Sequence, residues 1–529
     1  MNRRTFLNRS VATSALMSAI PKVWAAPASR DASGPVVETT SGKVRGRNEG
    51  QVAAFRGIPY GASTAGSARF MPPAKPRPWA GVQDAIELGH RSPQAASGLI
   101  PEVAALDADE PSGEDCLVVN VWTAGAAPQH KRPVMAWLHG GGFTSGSGGF
   151  KIYDGVNLAG KHDVVVVTVN HRLNAFGYLY LADLGGAKYA HSTNVGMLDI
   201  VAALEWVRDN IANFGGDPAN VTIFGQSGGG AKVSTLLAMP AAKGLFHRAV
   251  IESGAALRGT PRDAANESTQ KFLAKVGLKR NQIDRLQKLP ADRLVGALAP
   301  GLRFGPVVDG RTLPANPFDP AAPEISAGVP LLIGTTQTEV TFFAGQQLDP
   351  INPADARRRI QQLYRASDAD TDMLIAAYKK DDPEISNVDL YLEAASDSFA
   401  WTNSLTAAER KAALEKAPVY MYYFQWRSPV RDGKLKAMHC MEIPFVFDNP
   451  DAGQSMTGDG LDRYALAAQI SGAWTAFARS GNPSQKGLAW PAYNATSRAT
   501  MILDRKCEVV EDPRKEIRFA LRSLPPQLG

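Results

Sequence analysis

Runs of β-branched and aromatic residues alternate along this chain with stretches whose apolar residues recur every three or four positions. Residues 134–138 and the run Val164-Val165-Val166-Val167-Thr168-Val169 are almost unbroken, the pattern of strands buried on both faces. Residues 220–224, 249–252, 331–334 and 419–425 read as further short strands. Between 198 and 213, Leu198, Val201, Leu204, Val207 and Ile211 fall on one helical face, and Gly215-Gly216 stops the helix. A second helix continues over 231–239. Strand and helix in alternation predict an α/β chain with a mostly parallel central sheet flanked by helices. At the amino end, 36–44 and 52–60 read as two strands of a hairpin joined through Gly46 to Gly50. Residues 69–79 are irregular and proline-rich, and 92–113 carries few periodic cues and reads as a surface loop.

At 529 residues, with 44% hydrophobic and 20% charged, the chain has ample core for one large domain with insertions, assigned to 36–529. No apolar run is long enough for a spanning helix, so no stable membrane insertion is expected. Asn2-Arg3-Arg4-Thr5-Phe6-Leu7, a weakly apolar stretch over 11–20 and Val23-Trp24-Ala25 read as a twin-arginine signal over 1–25, followed by a flexible linker over 26–35. The expected location is periplasmic or secreted. Losing Arg3, Arg4, Arg9 and Lys22 with that segment takes the formal net charge from +6 down by four to +2, so no nucleic-acid partner is implied. Cys116, Cys440 and Cys507 are an odd, sparse set without metal-like spacing, which argues against a disulfide framework.

Chemistry enters at Gly225-Gln226-Ser227-Gly228-Gly229, between the strand over 220–224 and the helix that follows. Strand, G-x-S-x-G and helix in that order make a nucleophile elbow, where a strained turn exposes the serine hydroxyl and bulky neighbours would collide. A serine nucleophile needs a base, and the base an orienting acid, in the order serine, acid, histidine on this kind of scaffold. After the strand over 331–334, the loop Thr338-Glu339-Val340-Thr341-Phe342-Phe343 offers Glu339. After the strand over 419–425 comes His439-Cys440-Met441-Glu442-Ile443-Pro444-Phe445. Upstream, His139-Gly140-Gly141-Gly142-Phe143 follows a strand, and three glycines there let backbone N–H groups approach a developing oxyanion.

Glu114-Asp115-Cys116-Leu117-Val118-Val119-Asn120-Val121-Trp122, with the glycine run and the elbow, resembles the signatures of the type-B carboxylesterase family, the group of cholinesterases and para-nitrobenzyl esterases. The resemblance implies an α/β-hydrolase fold with a small N-terminal β-hairpin region and a Ser227–Glu339–His439 triad. It also implies oxyanion donors on Gly141, Gly142 and Gly228, and scaffold ion pairs Arg69–Glu114 and Arg172–Asp199. Pro300, Leu302 and Phe342 are the expected lining of the substrate pocket, with room for acyl groups bulkier than acetyl. The chain departs from the family pattern at four places. Ser92 replaces a half-cystine, leaving Cys116 a free buried thiol. Gln226 replaces glutamate beside the nucleophile. Gly228 replaces alanine, with a looser turn expected. Glu339 has unusual neighbours. The implied activity is two-step hydrolysis of small carboxylic esters without metal or organic cofactor. A lipase and a hydrolase of carbamate, amide or thioester bonds are the enzymatic alternatives, and an adhesion module that has lost catalysis is the non-enzymatic one. Oligomeric state stays open.

Overall fold

The computed structural model describes residues 34–96, 98–344 and 350–524; the segment read as a twin-arginine signal, 1–25, lies outside them. Numbered in chain order, the strands are β1 (Val36–Thr39), β2 (Gly42–Arg45), β3 (Arg47–Glu49), β4 (Val52–Pro59), β5 (Val82–Asp84), β6 (Val118–Thr123), β7 (Arg132–Leu138), β8 (Val165–Val169), β9 (Gly216–Gln226), β10 (Arg248–Glu252), β11 (Leu331–Thr336), β12 (Val419–Phe424), β13 (Thr500–Leu503) and β14 (Glu508–Val510). β1, β2 and β5 form a small sheet. The others form one large sheet in the order β14-β13-β12-β11-β10-β9-β7-β8-β6-β4-β3. Neighbours from β13 through to β8 run parallel, and the strands at both margins are antiparallel.

Side chains alternate across this sheet, and both faces are covered. Val134, Ala136 and Leu138 of β7 join one apolar cluster with the helices α1 (Val195–Asn210), α2 (Gly228–Ala238) and α3 (Thr402–Ala412). Met135 and Trp137, on the opposite face of β7, join a second cluster with α4 (Asp462–Ser480). Burial on both sides is why the strand sequences read as continuous apolar runs.

Two expectations change. The strand read over 36–44 is two strands, β1 and β2, which pair with each other because the chain turns back at Thr40–Ser41; the hairpin partner of β4 is β3, from the segment read as the connection, and not 36–44. At the Thr40–Ser41 turn Thr39 Oγ1 donates to the Gly42 carbonyl at 2.7 Å, Gly42 takes a φ of 149°, and Thr40 N–H donates to Asn210 Oδ1 at 2.7 Å. The stretch over 92–113, read as a surface loop, holds a short helix at Pro101–Ala104 and sends Val103 of that helix and Leu106 just beyond it into the second cluster. Both ion pairs form. Arg69 bonds Glu114 twice at 2.6 Å, and Arg172 bonds Asp199 at 2.8 and 2.6 Å with both side chains buried.

In an open parallel sheet, ligands bind beyond the carboxyl ends of the strands. The segments leaving those ends of β7, β9, β11 and β12 carry Gly141, Ser227, Glu339 and His439 respectively. The sheet order, not the chain order, makes them neighbours.

Candidate active site

Ser227 caps α2 in a strained backbone state, with φ 58° and ψ −122°. The turn closes because its neighbours lack side chains. A Cβ on Gly225 would stand 2.6 Å from the Leu138 carbonyl oxygen, and one on Gly229 only 1.9 Å from it. Ser227 N–H donates to the Glu252 carbonyl at 2.8 Å, so β10 fixes the turn from behind.

His439 Nδ1 lies 2.5 Å from Glu339 Oε2, a short contact between two buried side chains. The other carboxylate oxygen of Glu339 accepts from Thr336 N–H at 2.9 Å, which fixes its rotamer. Gln226, the residue before Ser227, lies against the imidazole. Its Nε2 is 3.2 and 3.3 Å from the two ring nitrogens, and its Oε1 accepts from the Cys440 thiol at 3.2 Å. No hydrogen bond joins Ser227 Oγ to His439 in this structure; contacts of this kind tighten when substrate arrives.

The glycine strip after β7 is tied down through its carbonyls. A peptide's C=O and N–H point opposite ways, so each carbonyl bond aims the N–H of the following residue. The Gly140 carbonyl lies 2.8 Å from His139 Nδ1, which aims the N–H of Gly141. The Gly141 carbonyl accepts from Ser145 N–H at 3.1 Å, which aims the N–H of Gly142. Burial and Lys232 hold the His139 pKa well below its ordinary value, so the ring is neutral and one nitrogen is free to carry the proton of that bond. The N–H groups of Gly141, Gly142 and Gly228 donate to no other described residue. They are available to a ligand. The turn is tighter than expected at Gly228: a Cβ there would stand 2.2 Å from the Gly142 oxygen, so the strip comes closer than alanine would permit.

Around His439 stand three phenylalanines. Phe342 is 5.6 Å away edge-on, Phe343 5.7 Å and tilted, and Phe399 5.4 Å edge-on. Phe343 and Phe399 are 58% and 43% exposed, unusual for large apolar side chains beside a buried histidine. Sequence reading did not single out Phe399, which stands forty residues before His439 in an uninformative helical stretch. Of the other pocket candidates, Pro300 is exposed and Leu302 packs on the cluster around Phe272 and Leu286. It is Gly305 that reaches the glycine strip, where a Cβ would stand 3.4 Å from the Phe143 ring. Behind the site, Glu252 and Glu442 are fully buried, and burial holds both carboxyls above the usual range. Among the described residues no group of three or more His, Cys, Asp or Glu is arranged to hold a metal ion, and no helix is long and apolar enough to cross a membrane.

The profile of the carboxylesterase family matches residues 33–520. The para-nitrobenzyl esterase of Bacillus subtilis (strain 168) is 38% identical over 499 residues, covering 92% of this chain and 98% of the relative. Among solved structures, a para-nitrobenzyl esterase superposes with a TM-score of 0.80 at 35% identity, covering 93% of this chain and 99% of its own. A Geobacillus stearothermophilus carboxylesterase does so with a TM-score of 0.80 at 37% identity, covering 92% and 99%. Similarity of this depth over nearly the whole length, on a mostly parallel sheet with an elbow serine at its carboxyl edge, makes this chain a member of the carboxylesterase family, a serine carboxylesterase of the α/β-hydrolase fold.

Proposed function

We propose that Ser227 is the nucleophile, His439 its general base and acid, and Glu339 the group that orients the imidazole. The observation that carries this reading is the Glu339–His439 contact at 2.5 Å, made beside a serine in a strained elbow. His439 takes the proton from Ser227 Oγ as it attacks the ester carbonyl, and Glu339 stabilises the imidazolium and its tautomer. The N–H groups of Gly141, Gly142 and Gly228 receive the oxyanion. His439 returns the proton to the leaving alcohol oxygen, and water repeats the cycle on the acyl-enzyme. The substrates are small, uncharged carboxylic esters. Pro300, Leu302 and Phe342 belong to the same proposal as pocket-lining residues. So does export through residues 1–25 to the periplasm or beyond.

The test is kinetic. Ser227→Ala and His439→Ala each lower kcat by about 10⁵-fold or more on a soluble ester while circular dichroism stays unchanged, and Glu339→Gln lowers it by about 10⁴-fold. Wild-type kcat in Glu339→Gln would remove Glu339 from the triad.

A further inference from the structure

We propose that Lys232 is a positioning residue for the oxyanion hole, its buried ammonium clamping both ends of the glycine strip onto the nucleophile turn. The inference rests on the assignment of Gly141, Gly142 and Gly228 as donors.

Lys232 lies on α2, five residues after Ser227, and its side chain is fully buried. Its Nζ donates to the His139 carbonyl at 2.8 Å and to the Gly142 carbonyl at 3.0 Å, and it stands 5.6 Å from the Phe143 ring centroid. No carboxylate among the described residues pairs with it. His139 and His171 are the titratable groups whose protonation it opposes, and burial keeps both neutral. An ammonium buried without a counter-ion is costly, and burial alone pulls its pKa down to about 7. Packing does not require it: methionine would fill a similar volume without charge. What the ammonium does in return is fix the 139–140 and 142–143 peptides, which bracket the two peptides whose N–H groups belong to Gly141 and Gly142.

A second, independent observation points the same way. The Gly142 backbone lies so close to Gly228 that a Cβ there would meet its oxygen, Cα and nitrogen at 2.2, 2.4 and 2.5 Å. At such distances the backbone itself must move, so an alanine would push the strip outwards. Lys232 draws the Gly142 carbonyl towards α2, and the missing methyl of Gly228 leaves the space into which it is drawn. The two residues act as one device. It holds the donors at the position the oxyanion occupies, where geometry matters in the transition state far more than in the ground state.

Lys232→Met removes the clamp, and Lys232→Gln keeps an N–H donor without the charge. On a short soluble ester, Lys232→Met lowers kcat by about tenfold to a hundredfold, less than the loss of an entire oxyanion donor, with KM changed by less than about threefold. Affinity for an aliphatic trifluoromethyl ketone, which forms a tetrahedral oxyanion on the serine, falls by the same factor. Inhibition by the product alcohol does not change. Lys232→Gln, which can still reach one carbonyl, gives an intermediate loss and serves if the methionine variant does not fold. Gly228→Ala combined with Lys232→Met costs less than the two single effects multiplied, because both displace the same strip. The proposal falls if the Lys232 variants bind the ketone as tightly as wild type, if ketone and alcohol affinities drop together, or if the double variant is additive. Ser227→Ala separates this from the triad assignment. If that variant keeps the wild-type ketone affinity, the nucleophile reading fails; if it loses it while Lys232→Met does not, the clamp alone fails.

Discussion

Glu252 acts on the nucleophile turn through its backbone and on the core through its side chain. Its carbonyl accepts from Ser227 N–H, while Oε1 accepts from Trp474 Nε1 at 2.7 Å. The second carboxylate oxygen is buried without a hydrogen-bond partner among the described residues. Burial raises the carboxyl pKa from 4.5 to about 8, so the folded state holds a proton there across a range where the unfolded chain has released it. The resulting stability is fully present below about pH 4.5 and is lost as pH rises through about 8. Glu252→Gln keeps an acceptor for Trp474 and cannot ionise. Its stability relative to wild type therefore rises between pH 5 and pH 9, by roughly 2–4 kcal/mol, read as diverging Tm curves in calorimetry. Parallel curves would mean that Glu252 is already ionised in the native state. At this scale the sequence was legible where chemistry sits in contiguous motifs, as around Ser227 and His439. Lys232 was not. A lysine in a run of small and apolar residues is the only local trace of it, and its two acceptors stand about ninety residues earlier.

Among the elements, the π-helical turn Asp397–Trp401, which runs on into α3, has the most direct bearing on specificity. Its base is pinned from the far end of the chain. The buried Arg514 guanidinium donates to Asp397 Oδ1 at 2.5 Å and to Glu393 Oε2 at 3.1 Å, and stands 5.2 Å from the ring centroids of Trp401 and Tyr423. The same turn holds Phe399 edge-on to His439. On the proposed assignment His439 hands its proton to the leaving oxygen, so rings packed about the imidazole flank the alcohol half of an ester. Phe399→Ala is expected to lower kcat/KM for benzyl acetate by about fivefold relative to ethyl acetate, with the butyryl-to-acetyl ratio unchanged for a fixed alcohol. A shift in that acyl ratio instead would move Phe399 to the other side of the pocket. Periodicity located the central strands and α1, because each buries whole faces. It misplaced the turn at Thr40–Ser41, where a contact from Asn210 supplies what local pattern does not show.

Across the whole molecule, Cys116, Cys440 and Cys507 are all unpaired, and apolar packing on both sheet faces takes the place of covalent staples. Reducing agent should therefore leave Tm unchanged, whereas loss of a native disulfide would cost about 2–5 kcal/mol; a downward shift in dithiothreitol would reveal a covalent bond between chains. The sequence was informative about this absence because Ser92 stands where a partner thiol would be needed. Ser92 Oγ instead accepts from Leu173 N–H at 3.1 Å.

The sheet order places β12 directly against β11 and well inside the outer margin. A polypeptide halted between Thr341 and Val419 would own the serine, the glycines and the glutamate, yet lack His439, the base of the proposed triad. It would also present β11 as a raw edge, its row of N–H and C=O groups open to any passing strand. On that assignment such incomplete copies are inert and edge-exposed, and hydrolysis reports that synthesis has run past β12.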